Sequence, residues 1–168
     1  IMHKIFGEKL KTNYRDRAGA YLICINEDKV AVVKTPKGFF FLGGGFEGDE
    51  SAEVCITREC VEEIGYSVKV GEKLCSAEHY TYHKRIGYFH PIQTYYLGEL
   101  VKMEESFTVE KDHTLMWLDY EEIKGKAFSA FRALSKEYPP FEDANMLVGA
   151  ADTTVSLTRS KISKTIDT

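Results

Sequence analysis

Three glutamates crowd one short stretch of this chain. Glu59, Glu62 and Glu63 stand at i, i+3 and i+4 within GGFEGDESAEVCITRECVEEIGY, residues 44–66. In a helix, at about 100° per residue, the three carboxylates share one face. Exposed like charges at that spacing repel by about a few tenths of a kcal/mol per pair, and more when partly buried. A hard divalent cation removes the repulsion, because carboxylate oxygens are the ligands that Mg2+ and Mn2+ prefer. A bare E-x-x-E-E is more often a solvated acidic face, but two neighbours shift the balance here. Gly43, Gly44 and Gly45 precede the segment and let backbone approach a ligand closely. Arg58 lies beside the cluster and can orient a carboxylate through forked hydrogen bonds.

The elements around the cluster follow from local pattern. A helix is predicted from about Ser51 to Ile64, with Ser51 or Asp49 as its cap and Gly65 as its stop. Val54, Ile56, Cys60, Val61 and Ile64 fill the arc expected to face the core. Ahead of it, Tyr21–Ile25 and Val30–Lys34 read as strands joined by a turn at residues 26–29. Phe39–Leu42 is a third short run, expected to end at the three glycines. Beyond the helix, strand-like runs cover about Lys69–Tyr82, Tyr88–Leu100 and Thr114–Leu118, with an acidic loop at about Lys102–Asp112. A second helix is predicted at about Tyr120–Tyr138, stopped by Pro139 and Pro140. One domain over residues 1–140 is expected. A tail at residues 141–168, rich in Ser and Thr, is loosely held or adds an edge strand.

Bulk properties restrict the function further. The 168 residues suffice for one domain with a real core. A net charge of −4 gives no broad nucleic-acid footprint. It remains compatible with polyphosphate binding through an intervening cation. Cys24, Cys55, Cys60 and Cys75 form no C-x-x-C pair and sit among apolar residues, so buried free thiols are expected. No run approaches the ~20 apolar residues of a membrane span, and the first residues lack the apolar segment of a signal peptide. A cytoplasmic location is the default expectation. The five histidines show no metal-type spacing and read as surface or packing residues.

At this point the sequence resembles a known family. Gly44, Glu50, Arg58, Glu59, Glu62, Glu63 and Gly65, with apolar Cys60 between, stand at the spacing of the Nudix box. For residue types near 7% of average composition, seven such matches arise by chance about once in a million chains of this length. Two positions depart from the pattern. Tyr66 stands where an aliphatic residue usually closes the box, and Gly43 stands where many members carry Pro. The resemblance implies an α/β fold, a Nudix-type α/β/α sandwich on a mixed sheet. It implies a Mg2+- or Mn2+-dependent hydrolase that cuts a diphosphate bond in a nucleotide-like substrate. Glu59, Glu62, Glu63 and the Gly43 carbonyl would hold metal, while Glu50, Arg58, Gly44 and Gly65 would shape and support the site. The general base would be Glu59 or a loop carboxylate, with Glu110 and Asp112 ahead of Glu104, Glu105 and Glu78.

Substrate is less legible. Tyr80, Tyr82, His83, Tyr88 and Phe89 are candidates for stacking on a base, against ordinary packing. Lys34, Lys37, Lys84 and Arg85 could meet phosphates, against ordinary surface charge. ADP-ribose hydrolases of the family commonly carry a Pro after the box, and none occurs between Tyr66 and Pro91. Dinucleoside polyphosphate hydrolases carry a Tyr near the position of Tyr82. The resemblance therefore tilts toward a nucleoside triphosphate or dinucleoside polyphosphate. The competing readings are a catalytically silent nucleotide-binding module, which often loses the box glutamates kept here, and a diphosphate isomerase. No nucleic-acid or membrane partner is expected, and a homodimer stays open.

Overall fold

The computed structural model describes residues 2–27, 29–36, 38–104, 109, 111–119 and 122. The second helix expected at Tyr120–Tyr138, the tail, Lys37, Glu105 and Glu110 lie outside them. The described part is a large mixed sheet with one helix. In chain order its elements are β1 (Met2–Phe6), β2 (Arg15–Ile23), β3 (Ile25–Asn26), β4 (Lys29–Thr35), β5 (Gly38–Gly45), α1 (Ala52–Ile64), β6 (Tyr66–His79), β7 (Thr81–His83), β8 (Gly87–Met103) and β9 (Thr114–Asp119). Strands run in the order β1-β6-β8-β2-β5-β4-β3, with β7 on β8 and β9 on β4.

Parallel pairing of β2 with β8, and of β1 with β6, makes the sheet mixed. Alternation along the central strands then divides the core. Leu22, Ala31, Val33 and Leu42 pack under α1 with Cys55, Ile56, Cys60 and Ile64. Their immediate neighbours Ile23, Val30 and Val32 join Leu74, Cys75, Tyr95 and Leu118 in a second cluster. A side-chain period of two sends successive residues to opposite faces, so a four-residue apolar run such as Val30–Val33 marks a strand covered on both sides. All four cysteines are buried thiols outside any disulfide.

The helix begins and ends where its chemistry dictates. Ser51 Oγ accepts the Val54 N–H at 3.2 Å, filling one of the orphan donors of the first turn. Gly65 at φ 72° turns left-handed, and its N–H returns to the Cys60 and Val61 carbonyls. Two expectations fail along this stretch. Val54 does not face the core but is 53% exposed. The buried arc runs through Cys55, Ile56, Cys60, Glu63 and Ile64, which turns Val54 outward.

The second failure concerns the glycines. β5 does not stop at Leu42 but continues through Gly43, Gly44 and Gly45. Cross-strand pairing holds it: Tyr21 faces Gly43, Ala20 faces Gly44 and Gly19 faces Gly45. Ladder hydrogen bonds to a neighbour outweigh the weak intrinsic strand propensity of glycine. The same reason explains why β2 reaches back to Arg15, six residues before the apolar run, since β8 pairs with it throughout. β1 gave no sequence signal and exists because β6 offers it a parallel edge from Cys75 to His79.

Candidate functional site

The glycine end of β5 and the outward face of α1 meet around one guanidinium. Arg58 Nε and Nη2 donate to the two Glu50 oxygens at 3.1 and 2.6 Å, a forked pair. Nη1 donates to Glu59 Oε1 at 3.1 Å and Glu62 Oε2 at 3.2 Å. Nη2 also reaches the Gly45 carbonyl at 3.1 Å. With Glu47 Oε1 3.5 Å from Nη1, Arg58 ties the helix, the loop and four carboxylates together. Its own pKa is raised, chiefly by the hydrogen bond to Glu50, so it stays charged. Glu50 is held down to about 2, first by the Arg58 hydrogen bond and then by the Glu47 backbone N–H.

Two further glutamates press on the glycines. Glu63 is buried, and its Oε1 accepts the Gly43 N–H at 3.0 Å. The Glu59 carboxylate lies over Gly44, where a methyl group would sit 2.5 Å from Oε1 and 2.6 Å from Cδ. Only glycine leaves Glu59 that space. Gly43 has φ 132°, and a methyl there would strike the Ala20 carbonyl. The expected trio is therefore assembled but graded: Glu63 is deepest, Glu59 intermediate, and the Glu62 side chain is 45% exposed. Cys55, absent from the sequence-based site, donates its thiol toward the Gly44 and Gly45 carbonyls at 3.4 and 3.6 Å. Burial first pushes its pKa up to about 11, keeping it a neutral donor.

The remaining candidates are less convergent. Val109 Cγ2 lies 3.0 Å from where a Gly65 side chain would start, and the Glu104 N–H donates to the Gly65 carbonyl at 2.7 Å. Glu104 and Val109 thus lie at the C-terminal end of α1, one turn from Glu62. Asp112 is exposed in a left-handed conformation, φ 67°. Lys34 is exposed at the far end of the sheet from the glycines. It pairs with Phe39, five residues before Gly44, or roughly 16 Å along β5. Tyr80 is stacked on His90 at 4.1 Å, with Tyr14 edge-on at 5.1 Å, so its ring is already used in packing. Tyr82 is 51% exposed and meets Tyr88 edge-on at 5.2 Å. His83 ends β7 opposite Gly87.

One charged network escaped the sequence reading. His3 Nδ1 lies 2.5 Å from Ser76 Oγ and His3 Nε2 lies 2.6 Å from Glu78. His90 bridges Glu78 at 3.0 Å and Asp16 at 2.9 Å. It joins β1, β6, β8 and β2, and only their non-local pairing brings these residues together.

Among the described residues no three Asp, Glu, His or Cys side chains stand in a ligating arrangement as they are. The donor set still fits a hard divalent cation. Glu59 and Glu62 already converge on a single positive nitrogen of Arg58, and all available donors are oxygen. Among the described residues no helix is long and apolar enough to cross a membrane.

This fold and this box define a class. The NUDIX domain model matches residues 14–138, most of the chain, and the chain belongs to the Nudix (MutT-like) hydrolase family. Its structure is similar to a NUDIX hydrolase from Nitrosomonas europaea, with TM-score 0.57, 18% identity, and coverage of 67% of this chain and 78% of that one. A MutT NUDIX hydrolase from Burkholderia pseudomallei gives 0.53 at 20% identity, covering 64% and 86%. An ADP-ribose pyrophosphatase from Streptococcus suis gives 0.55 at 15% identity, covering 85% and 92%. No curated protein matches the chain at a significant level. Membership implies an enzyme that hydrolyses diphosphate bonds, in a family that generally uses divalent metal ions.

Proposed function

We propose that the chain hydrolyses a diphosphate bond in a nucleoside triphosphate or dinucleoside polyphosphate, using Mg2+ or Mn2+ at the glutamate cluster. The carrying observation is the packing of Glu59 and Glu63 against Gly44 and Gly43, with Arg58 clamping Glu50, Glu59 and Glu62. Glu59, Glu62, Glu63 and the Gly43 carbonyl would hold the metal. When bound, the metal neutralises diphosphate charge and lowers the pKa of a water. Arg58 and Glu50 position the loop and the carboxylates. Glu59, or a carboxylate of the acidic loop such as Glu110 or Asp112, accepts the proton of the attacking water. The exposed Tyr82 and Tyr88 rings offer a nucleobase a stacking surface, with Tyr80 and His83 as further candidates from the sequence.

The substrate preference rests on Tyr82 and on the absence of a Pro between Tyr66 and Pro91. The test is a turnover screen with Mg2+ and with Mn2+, across nucleoside triphosphates, diadenosine tetraphosphate, ADP-ribose and nucleotide sugars. Release of phosphate-containing product from the first two classes is expected, and preferential turnover of ADP-ribose would reverse the preference. Glu62→Gln in the same screen should lose several orders of magnitude. Full activity of that variant would remove the metal assignment.

A further inference from the structure

Four glutamates stand at fixed positions of the box, and its own arginine is committed to three of them and to Glu47 besides. A polyanionic substrate arriving there needs positive charge beyond Arg58. Lys34 does not supply it at the loop, since it lies at the other end of β5. The structure brings a different one. Arg17, on β2, is exposed, and its Nε lies 3.2 Å and its Nη2 3.5 Å from where a methyl group on Gly45 would sit. Gly45 is thus held between two guanidiniums: Arg58 on its carbonyl and Arg17 over its α-carbon.

Arg17 differs from Arg58 in one decisive respect. Among the described residues no carboxylate forms an ion pair with it. An unpaired guanidinium keeps its full fork for an incoming oxyanion, and its planar donors match phosphate oxygens two at a time. Its field also overlaps the box. Gly45 directly follows Gly43 and Gly44, the two glycines against which Glu63 and Glu59 press. Arg17 and the box carboxylates therefore act on one small region. The absence of a side chain at Gly45 is what lets the Arg17 guanidinium lie against the strand there, whereas Gly19 and Gly43 are closed off by the backbone of the paired strand.

We propose that Arg17 binds a non-bridging phosphate oxygen of the substrate diphosphate over Gly45, and so sets affinity for the polyphosphate. The inference rests on the diphosphate-hydrolase reading of the box. Arg17 contributes ground-state binding and no proton transfer, so its loss acts on KM more than on kcat.

The test uses the full chain and Arg17→Ala, Arg17→Lys and Arg15→Ala. Arg15 is exposed on the same strand two residues away and controls for net charge. The readouts are kcat and KM on the best substrate of the screen, and calorimetric binding of α,β-methylene-ADP with Mg2+. Arg17→Ala should raise KM at least tenfold with kcat within about threefold, weaken the analogue equally, and leave Tm unchanged. Arg17→Lys should recover part of the loss, and Arg15→Ala should resemble the wild type. An Arg17→Ala enzyme with wild-type KM and analogue affinity would overturn the proposal while leaving the hydrolase reading intact. So would an Arg15→Ala enzyme impaired as strongly, since that marks a diffuse charge effect. A wild-type chain that neither turns over any diphosphate nor binds the analogue would instead remove the underlying reading, and Arg17's role with it.

Discussion

Gly44→Ala is a one-carbon change whose consequence can be worked out from geometry. The added methyl would lie 2.5 Å from Glu59 Oε1 and 2.6 Å from Cδ, so the carboxylate must retreat by about 1 Å. The backbone does not object, because Gly44 is not among the positive-φ residues. Alanine also narrows the unfolded ensemble, which by itself stabilises by about 0.4–1 kcal/mol. Stability should therefore hold or rise slightly. Activity should not. A displacement of about 1 Å in a catalytic constellation costs on the order of 100-fold, or about 2.7 kcal/mol of transition-state stabilisation. Steady-state kinetics and a thermal melt on the same preparations measure both quantities. A double-mutant cycle with Glu59→Ala isolates the cause, since the methyl has no carboxylate to displace once Glu59 is gone. Wild-type kcat/KM in Gly44→Ala would refute the reasoning. So would a 100-fold penalty that persists undiminished in the Glu59→Ala background.

Other perturbations probe the remaining parts. Arg58→Lys keeps a charge but loses the fork to Glu50 and the bond to Gly45; activity should fall about 10–100-fold, and wild-type kinetics would show the clamp to be dispensable. Gly65→Ala forces a side chain into the left-handed region, at about 1–2 kcal/mol, and against Val109; a thermal melt should fall by roughly 2–8 °C. Glu50 has a folded pKa near 2 against an ordinary 4.5, so its contribution is present above pH 4.5 and is lost as pH falls toward 2. Melts of wild type and Glu50→Gln should differ by a constant amount above pH 4.5 and converge below it. Native chain should resist thiol labelling at Cys24, Cys55, Cys60 and Cys75, and all four should react after unfolding; rapid labelling of folded protein would contradict their burial.

The box and its helix were legible in the sequence because their determinants are local. A serine cap, a glycine stop and glutamates at i, i+3 and i+4 depend only on neighbours within one or two turns. The same holds for the apolar run at Val30–Lys34, which reads as a strand from its own residue types. What depends on distant partners was not legible. The glycines were read as the end of β5, yet pairing with β2 carries the strand through them. Arg17 and Gly45 are separated by 27 intervening residues and meet only across that pairing. The His3–Glu78–His90–Asp16 network draws on four strands. Local spacing determined which carboxylates this chain concentrates on one helix. Tertiary structure decided which backbone they press against and which cation stands opposite, because strand register is set by hydrogen bonds between segments far apart in the chain.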